Sequence, residues 1–337
     1  MSVSRRGFLA AAGGLGTLMV LAACGQEEPA TTSTATQAAT APAGPWTFTD
    51  DRGKKLELPR RPARIVAQVG SAAALWDFGI RPVAIFGPHK LKDGSKDPQV
   101  GNVDITKVAG LGNVWDEFNV EQYIALQPEL LVSSMYVNGT LWYVPEKSKD
   151  TIEQAAPTAG IMLTGKSASQ VIGRYAELAQ SLGADLGSPE ISSAKARFDA
   201  ATEELKKIAA NGLKILMMSG GPDTMWVVNP PEYADIMHLT EAGLDVVKPD
   251  KVDEGGFFQS LSWENADTYD ADVILYDVRT QALTFDDMMK KPTFAKLPAV
   301  EAGQAYPWRA EAPFSYQGYA EYMESLVADL KKAEKLA

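Results

Sequence analysis

The sequence predicts an α/β protein made of two similar lobes with central, mainly parallel sheets and a cleft between them. Three observations lead there. Short apolar runs, such as residues 64–69 and 129–134, alternate with helical stretches, as expected of parallel strands buried on both faces. The same organisation starts again in the second half with residues 213–218. Beyond residue 46 the chain runs for roughly 290 residues, which exceeds the common single-domain size and leaves room for two cores.

The elements follow in chain order. Ser4-Arg5-Arg6-Gly7-Phe8-Leu9 puts an arginine pair ahead of an apolar run, the order of a twin-arginine export signal. Residues 8–23 include Gly13, Gly14 and Gly16 and fall short of the about 20 apolar residues that a spanning helix needs. Leu21-Ala22-Ala23-Cys24 resembles a bacterial lipobox. Residues 1–23 therefore read as a lipoprotein signal peptide that is removed. Cys24 reads as a fatty-acylated N-terminus holding the protein on the extracytoplasmic face of the cell membrane. It is the only cysteine, so no disulfide forms within the chain. Residues 24–45, rich in Thr, Ala, Ser, Pro and Gln, cannot bury enough apolar surface to order themselves and form a tether.

Residues 46–166 make the N-terminal lobe. A strand at 64–69 leads into a helix at 72–78 that stops at Gly79, and a second strand follows at 83–87. A helix at 121–126 ends before Pro128 and gives way to the strand at 129–134. Residues 167–187 carry Val171, Ile172, Tyr175, Leu178, Ala179 and Leu182 at helical spacing, which predicts one amphipathic helix over 167–183. Residues 188–337 make the C-terminal lobe. Its first helix spans 188–210, with Ser188 as cap, Pro189 at the first position and Gly212 past the end. A strand at 213–218, a short helix starting near Ser262 and a strand at 272–276 follow.

With these elements placed, the chain resembles the family of receptors for iron-siderophores, haem and cobalamin that serve ABC importers. In the first lobe the marks are Asn119-Val120-Glu121, Leu126-Gln127-Pro128-Glu129 and Ala155-Ala156-Pro157-Thr158. In the second they are Leu261-Ser262-Trp263-Glu264, Ala271-Asp272-Val273-Ile274 and the run from Leu297-Pro298 to Ala305-Tyr306. The resemblance implies that the helix over 167–183 bridges the lobes and limits their relative motion. It also implies a ferric siderophore as ligand, no cofactor, and iron held by the siderophore with no metal ligand from the protein. The implied partners are an ABC permease with its ATPase, met by Glu121 and Glu264, one exposed glutamate per lobe. A monomer is expected, and no nucleic acid: the net charge of -11 argues against polyanionic partners.

Ligands of open α/β sheets sit at the C-terminal ends of the strands, so the loops there supply the candidate contacts. Trp115, Trp142, Trp226 and Trp308 fall in or near such loops, beside Phe118, Tyr136, Tyr143, Phe257 and Phe258. Rings in loops suggest a surface that buries something. Arg279 and Arg309 are the best-placed cations. So few cations do not suit a tris-catecholate complex with roughly three negative charges; a hydroxamate complex suits them better. Some hydroxamate receptors of the family place an arginine just ahead of the first Asn-x-Glu block, where this chain has Gly112-Asn113-Val114-Trp115. A haem or cobalamin receptor of the same fold is the alternative. Two histidines, His89 and His238, do not make a zinc or manganese receptor. No nucleophile elbow and no His-Glu-x-x-His appears, and the chain reads as a binding protein, not an enzyme.

Overall fold

The structure, a computed structural model, describes residues 44–336. The arginine pair, the lipobox with Cys24 and most of the tether lie outside the described residues. The described chain opens with a hairpin of β1 (Trp46–Thr49) and β2 (Lys55–Leu58), paired antiparallel. The Asp50 carboxylate closes its turn, accepting from the backbone amides of Arg52 and Lys54 at 3.0 Å each.

The first sheet contains β3 (Ile65–Gln68), β4 (Ala84–Phe86), β5 (Ala109–Gly110), β6 (Leu130–Met135) and β7 (Thr158–Met162), in the order β5-β4-β3-β6-β7 and all parallel. α1 (Val69–Asp77), α2 (Val120–Ala125) and α3 (Lys149–Ala155) connect them. All six residues of β6 are buried, including Ser133 and Ser134, as expected of a central parallel strand covered on both faces. The chain leaves β3 toward β5 and returns on the other side at β6, so the topological switch lies between β3 and β6. α1 begins three residues ahead of the expected Ala72. The Gln68 side chain supplies the reason: its Oε1 caps the amides of Gly70 and Ser71 at 2.9 and 3.2 Å, satisfying donors that the sequence gives no conventional cap.

α4 (Ala168–Ser181) leads to α5 (Pro189–Ala209), whose Ser188 cap and Pro189 start are as expected. The second sheet and its connections comprise β8 (Lys214–Gly220), β9 (Thr224–Val228), α6 (Ala234–Glu241), β10 (Asp245–Val246), β11 (Phe258–Ser262), β12 (Val273–Asp277), α7 (Phe285–Met288), α8 (Pro292–Ala295), α9 (Pro298–Glu301) and β13 (Ala305–Trp308). α10 (Tyr316–Leu330) closes the chain against α5. The strand order is β11-β9-β8-β12-β13, with β10 beside the start of β8. This lobe is not a strict copy of the first. Only Gly221, Pro222 and Asp223 separate β8 from β9, too few for a crossover helix, so β9 turns back antiparallel. The short helix expected at Ser262 is a single 3₁₀ turn, Trp263–Asn265.

α4 ties the lobes together. Its buried stripe of Val171, Ile172, Tyr175, Leu178 and Ala179 packs on α1 in the first lobe and α6 in the second. The Tyr175 hydroxyl meets Ser71 Oγ at 2.7 Å. Ala67 and Leu130 of the first sheet, this stripe, and Ile215 and Leu275 of the second belong to one continuous apolar core. The hairpin reinforces the junction: Asp51 accepts from Arg174 Nε at 2.7 Å and Lys166 Nζ at 3.0 Å. Leu178→Ala is expected to cost about 2–5 kcal/mol. Because the core is shared, both lobes should lose stability in one urea transition, followed in parallel by tryptophan fluorescence and far-UV circular dichroism.

Candidate ligand-binding site

The C-terminal ends of the two sheets face each other above α4. From the first lobe come Gln68 at the end of β3, the loop through Asp97 to Asn102, and Tyr136 after β6. From the second come Asp277 to Thr280 after β12 and Arg309 to Pro313 after β13. Contacts join the two lobes at several points. Thr280 Oγ1 lies 3.4 Å from Asp97 Oδ2. Ser315 Oγ donates to Asp77 Oδ2 at 2.5 Å. The Tyr136 ring meets the Phe257 ring edge-on at 6.3 Å. Gly101 lies against Pro313, where an added Cβ would come within 2.8 Å of the proline ring, and its φ of +55° also favours glycine.

The cleft has two unlike halves. Where β6 faces β11, rings touch in series from Trp115 through Trp142 and Tyr136 to Phe257 and Phe258, with centroids 4.8–6.4 Å apart. Tyr143 packs against both tryptophans and Tyr233 against both phenylalanines. Where β4 faces β12 and β13, a chamber of about 460 Å³ opens between Asp97, Arg279, Thr280, Arg309, Glu311 and Tyr322. The Tyr322 hydroxyl is buried there with no protein partner. A constriction of about 20 Å³ between Gln68, Ser134, Tyr136, Tyr175 and Glu311 adjoins the chamber through Gln99, Glu311 and Ala312.

Arg279 is the central charge. Its Nε and Nη2 donate to Asp277, with Nη2 2.8 Å from Oδ2, while Nη1 donates to Glu311 Oε1 at 2.9 Å. Burial disfavours its charge, but Glu311 and Asp277 more than offset this and hold the guanidinium firmly protonated. Burial, reinforced by Glu311, also pushes the Tyr136 phenol well above the usual range, so it stays a neutral donor. Among the described residues no group of His, Cys, Asp and Glu side chains is placed to hold a metal ion. Another hollow, of about 340 Å³, lies at the opposite end of the second sheet beside Asp245, Asp267, Asp272 and Lys335. It is remote from the strand ends that carry this chemistry.

A sequence profile described as "Periplasmic binding protein" matches residues 68–312. The chain belongs to the periplasmic binding protein family. Among solved structures it resembles DesE, a ferric-siderophore receptor protein from Streptomyces coelicolor, at 39% identity over 87% of this chain and 100% of that one, with a TM-score of 0.83. A siderophore periplasmic binding protein from Thermobifida fusca (23% identity, 81% and 98% covered, TM-score 0.59) shares the fold. So does the catecholate-siderophore binding protein VctP from Vibrio cholerae (17% identity, 86% and 99% covered, TM-score 0.57). No curated protein matches the chain. A periplasmic binding protein carries a solute and does not transform it, so the family is not one of enzymes.

Within this family member the candidate residues divide. Trp115, Tyr136, Trp142, Tyr143, Phe257 and Phe258 come together in the aromatic half, with Trp115 outermost at 53% exposure. Arg279 and Arg309 line the chamber, where Arg309 sits 3.4 Å from Glu321. Three tryptophan and phenylalanine positions fall elsewhere. Phe118 packs edge-on against Phe86 and Tyr123 in the first lobe's core. Trp226 lies over Gly221 on β9. Trp308 has no exposed surface; the pairing of β13 with β12 turns it inward beside Tyr233. His89 is buried with Nδ1 2.8 Å from Gly87 O, and His238 is buried on α6 with Nε2 3.0 Å from Thr202 Oγ1. Glu121 is exposed in the first turn of α2, where Asn119 and not the glutamate provides the cap. Glu264 is exposed in its 3₁₀ turn.

One string in the sequence fits a phosphate-binding pattern without having its free groups. Gly160-Ile161-Met162-Leu163-Thr164-Gly165-Lys166-Ser167 fits the Gly-x-x-x-x-Gly-Lys-Ser phosphate-loop pattern and lies between β7 and α4, as such loops do. Its groups are already engaged: Lys166 with Asp51, the Gly165 amide with Pro231 O at 3.2 Å, and the Ser167 amide with Gln170 Oε1 at 2.9 Å. The string caps a helix and cradles no phosphate.

Trp308 explains a buried acid that no local motif singles out. Its Nε1 donates to Asp235 Oδ2 at 2.5 Å, and burial pushes that carboxyl up to about 6 from 3.8. Between those values the folded state holds a proton that the unfolded state has lost. Stability therefore falls as pH rises through that window, by on the order of 3 kcal/mol. Asp235→Asn keeps an acceptor for Trp308 and should be free of this loss. Urea midpoints of the two proteins are expected to diverge in favour of the variant as pH rises from about 4 to about 7.

Proposed function

We propose that the chain is the extracytoplasmic receptor of an ABC importer, binding an iron(III)-siderophore complex of the hydroxamate type in the inter-lobe cleft. It then hands the complex to the permease and its ATPase. The observation that carries this reading is the pairing of an aromatic wall with a single buried guanidinium, Arg279, at the meeting point of the two lobes. A ferric hydroxamate presents apolar linkers around a core of metal-bound oxygens. Stacked rings suit the linkers, and Arg279 with the Tyr136 hydroxyl suits the oxygens. The iron keeps its siderophore ligands, and the protein contributes none. DesE, described as a ferric-siderophore receptor, supports the same ligand class.

Glu121 and Glu264 are the docking charges in this reading, one per lobe, meeting cations on the two halves of the permease. Exposed carboxylates on separate lobes fix orientation more than affinity. Lipidation at Cys24 would keep the receptor beside its permease.

Binding and uptake separate these roles. In purified protein, Tyr136→Ala or Trp142→Ala should weaken quenching by a ferric trihydroxamate roughly thirtyfold, the usual cost of truncating an aromatic anchor. Glu121→Ala combined with Glu264→Ala should leave quenching unchanged while cells lose most iron-siderophore uptake. A Soret shift with haem, or tight cobalamin binding, in place of quenching by the hydroxamate would transfer the cleft to that ligand.

A further inference from the structure

Resting on the siderophore reading, a further question is which ferric complexes the cleft turns away. We propose that Glu311 is the specificity-determining residue of the site, a fixed negative charge that excludes anionic ferric complexes and leaves neutral or cationic ones free to reach Arg279. Glu311 lines both the chamber and the constriction, opposite Tyr136. It holds Nη1 of Arg279 at 2.9 Å, the one nitrogen of that guanidinium not bound to Asp277. Its backbone φ of +61° is uncommon for a side-chain-bearing residue. Non-glycine residues keep such conformations where the surroundings impose them, and here the result is a carboxylate aimed at the centre of the cleft.

The surrounding charges point the same way. The chamber is lined by the carboxylates of Asp97, Glu311 and Glu321 and the guanidinium groups of Arg279 and Arg309. Asp277, fully buried beneath Arg279, adds another negative charge. Arg309 is drawn to Glu321 at 3.4 Å, so neither arginine offers an uncompensated positive charge. A trianionic ferric tris-catecholate would enter against this field, whereas an uncharged ferric trihydroxamate needs only to displace Glu311 from Nη1. The charge of Glu311 is removable without dismantling the site, because Asp277 still holds Arg279 through Nε and Nη2.

The test measures dissociation constants by fluorescence quenching for a ferric tris-catecholate and an uncharged ferric trihydroxamate, in wild type, Glu311→Gln and Glu311→Asp. Glu311→Gln should shift the ratio of the two affinities toward the catecholate by at least about tenfold, the scale on which one close charge discriminates between partners. Glu311→Asp should discriminate as wild type does. An unchanged ratio in Glu311→Gln overturns the proposal. So does equal weakening of both ligands, which would make Glu311 a structural clamp on Arg279. Wild-type protein that binds neither ferric complex removes the siderophore reading itself, and the filter with it.

Discussion

Burial of one helix face by both lobes at once is the constraint on which the rest of the molecule depends. Val171, Ile172, Tyr175 and Leu178 of α4 are each exposed by 1% or less, and their neighbours come from both sheets. Pulling the lobes apart by a wide hinge would expose that stripe, at about 1.5–3 kcal/mol for each large side chain. The walls of the cleft are therefore held near one spacing. In the reading proposed above, a ligand enters by moving rings and the Glu311 side chain, not by swinging a domain, while the Gly101–Pro313 and Asp77–Ser315 contacts help to hold the lobes together.

A fixed cleft makes its charges decisive. Arg279 is largely withdrawn from water, and a cation in that position needs close partners to repay desolvation. Asp277 and Glu311 provide them, but unequally. Asp277 follows directly from β12 and is itself fully buried, so it belongs to the foundation of the site. Glu311 arrives from the loop after β13 and keeps 24% of its side chain exposed. It is the partner a ligand can exchange with.

Much of this fold is legible in the sequence itself. Helical spacing in residues 167–183 found α4 within a few residues, and Ser188-Pro189 marked the start of α5, because both signals are local. Tyr136 and Arg279 each follow an apolar strand closely, which is enough to place them at the strand ends that line the cleft. Glu311 left no such trace: its meaning comes from Arg279, distant in sequence and brought near only by the pairing of β12 with β13. The same pairing turns Trp308 inward, so a tryptophan that looked like Trp142 in composition proves to be core. The 160–167 string shows the converse, in which a strand-loop-helix setting and a matching pattern coincide while Asp51, Pro231 and Gln170 occupy the groups that chemistry would need.

The claim that one shared core holds the lobes at a near-constant spacing is tested most directly by pulsed electron paramagnetic resonance. Nitroxide labels would be placed at Lys107→Cys and Lys290→Cys, exposed positions on opposite lobes, in a Cys24→Ser background. The account predicts one narrow distance distribution whose mean moves by less than about 2 Å when a ferric trihydroxamate is added. A second, well-resolved distance population in the free protein that disappears on ligand binding would contradict it.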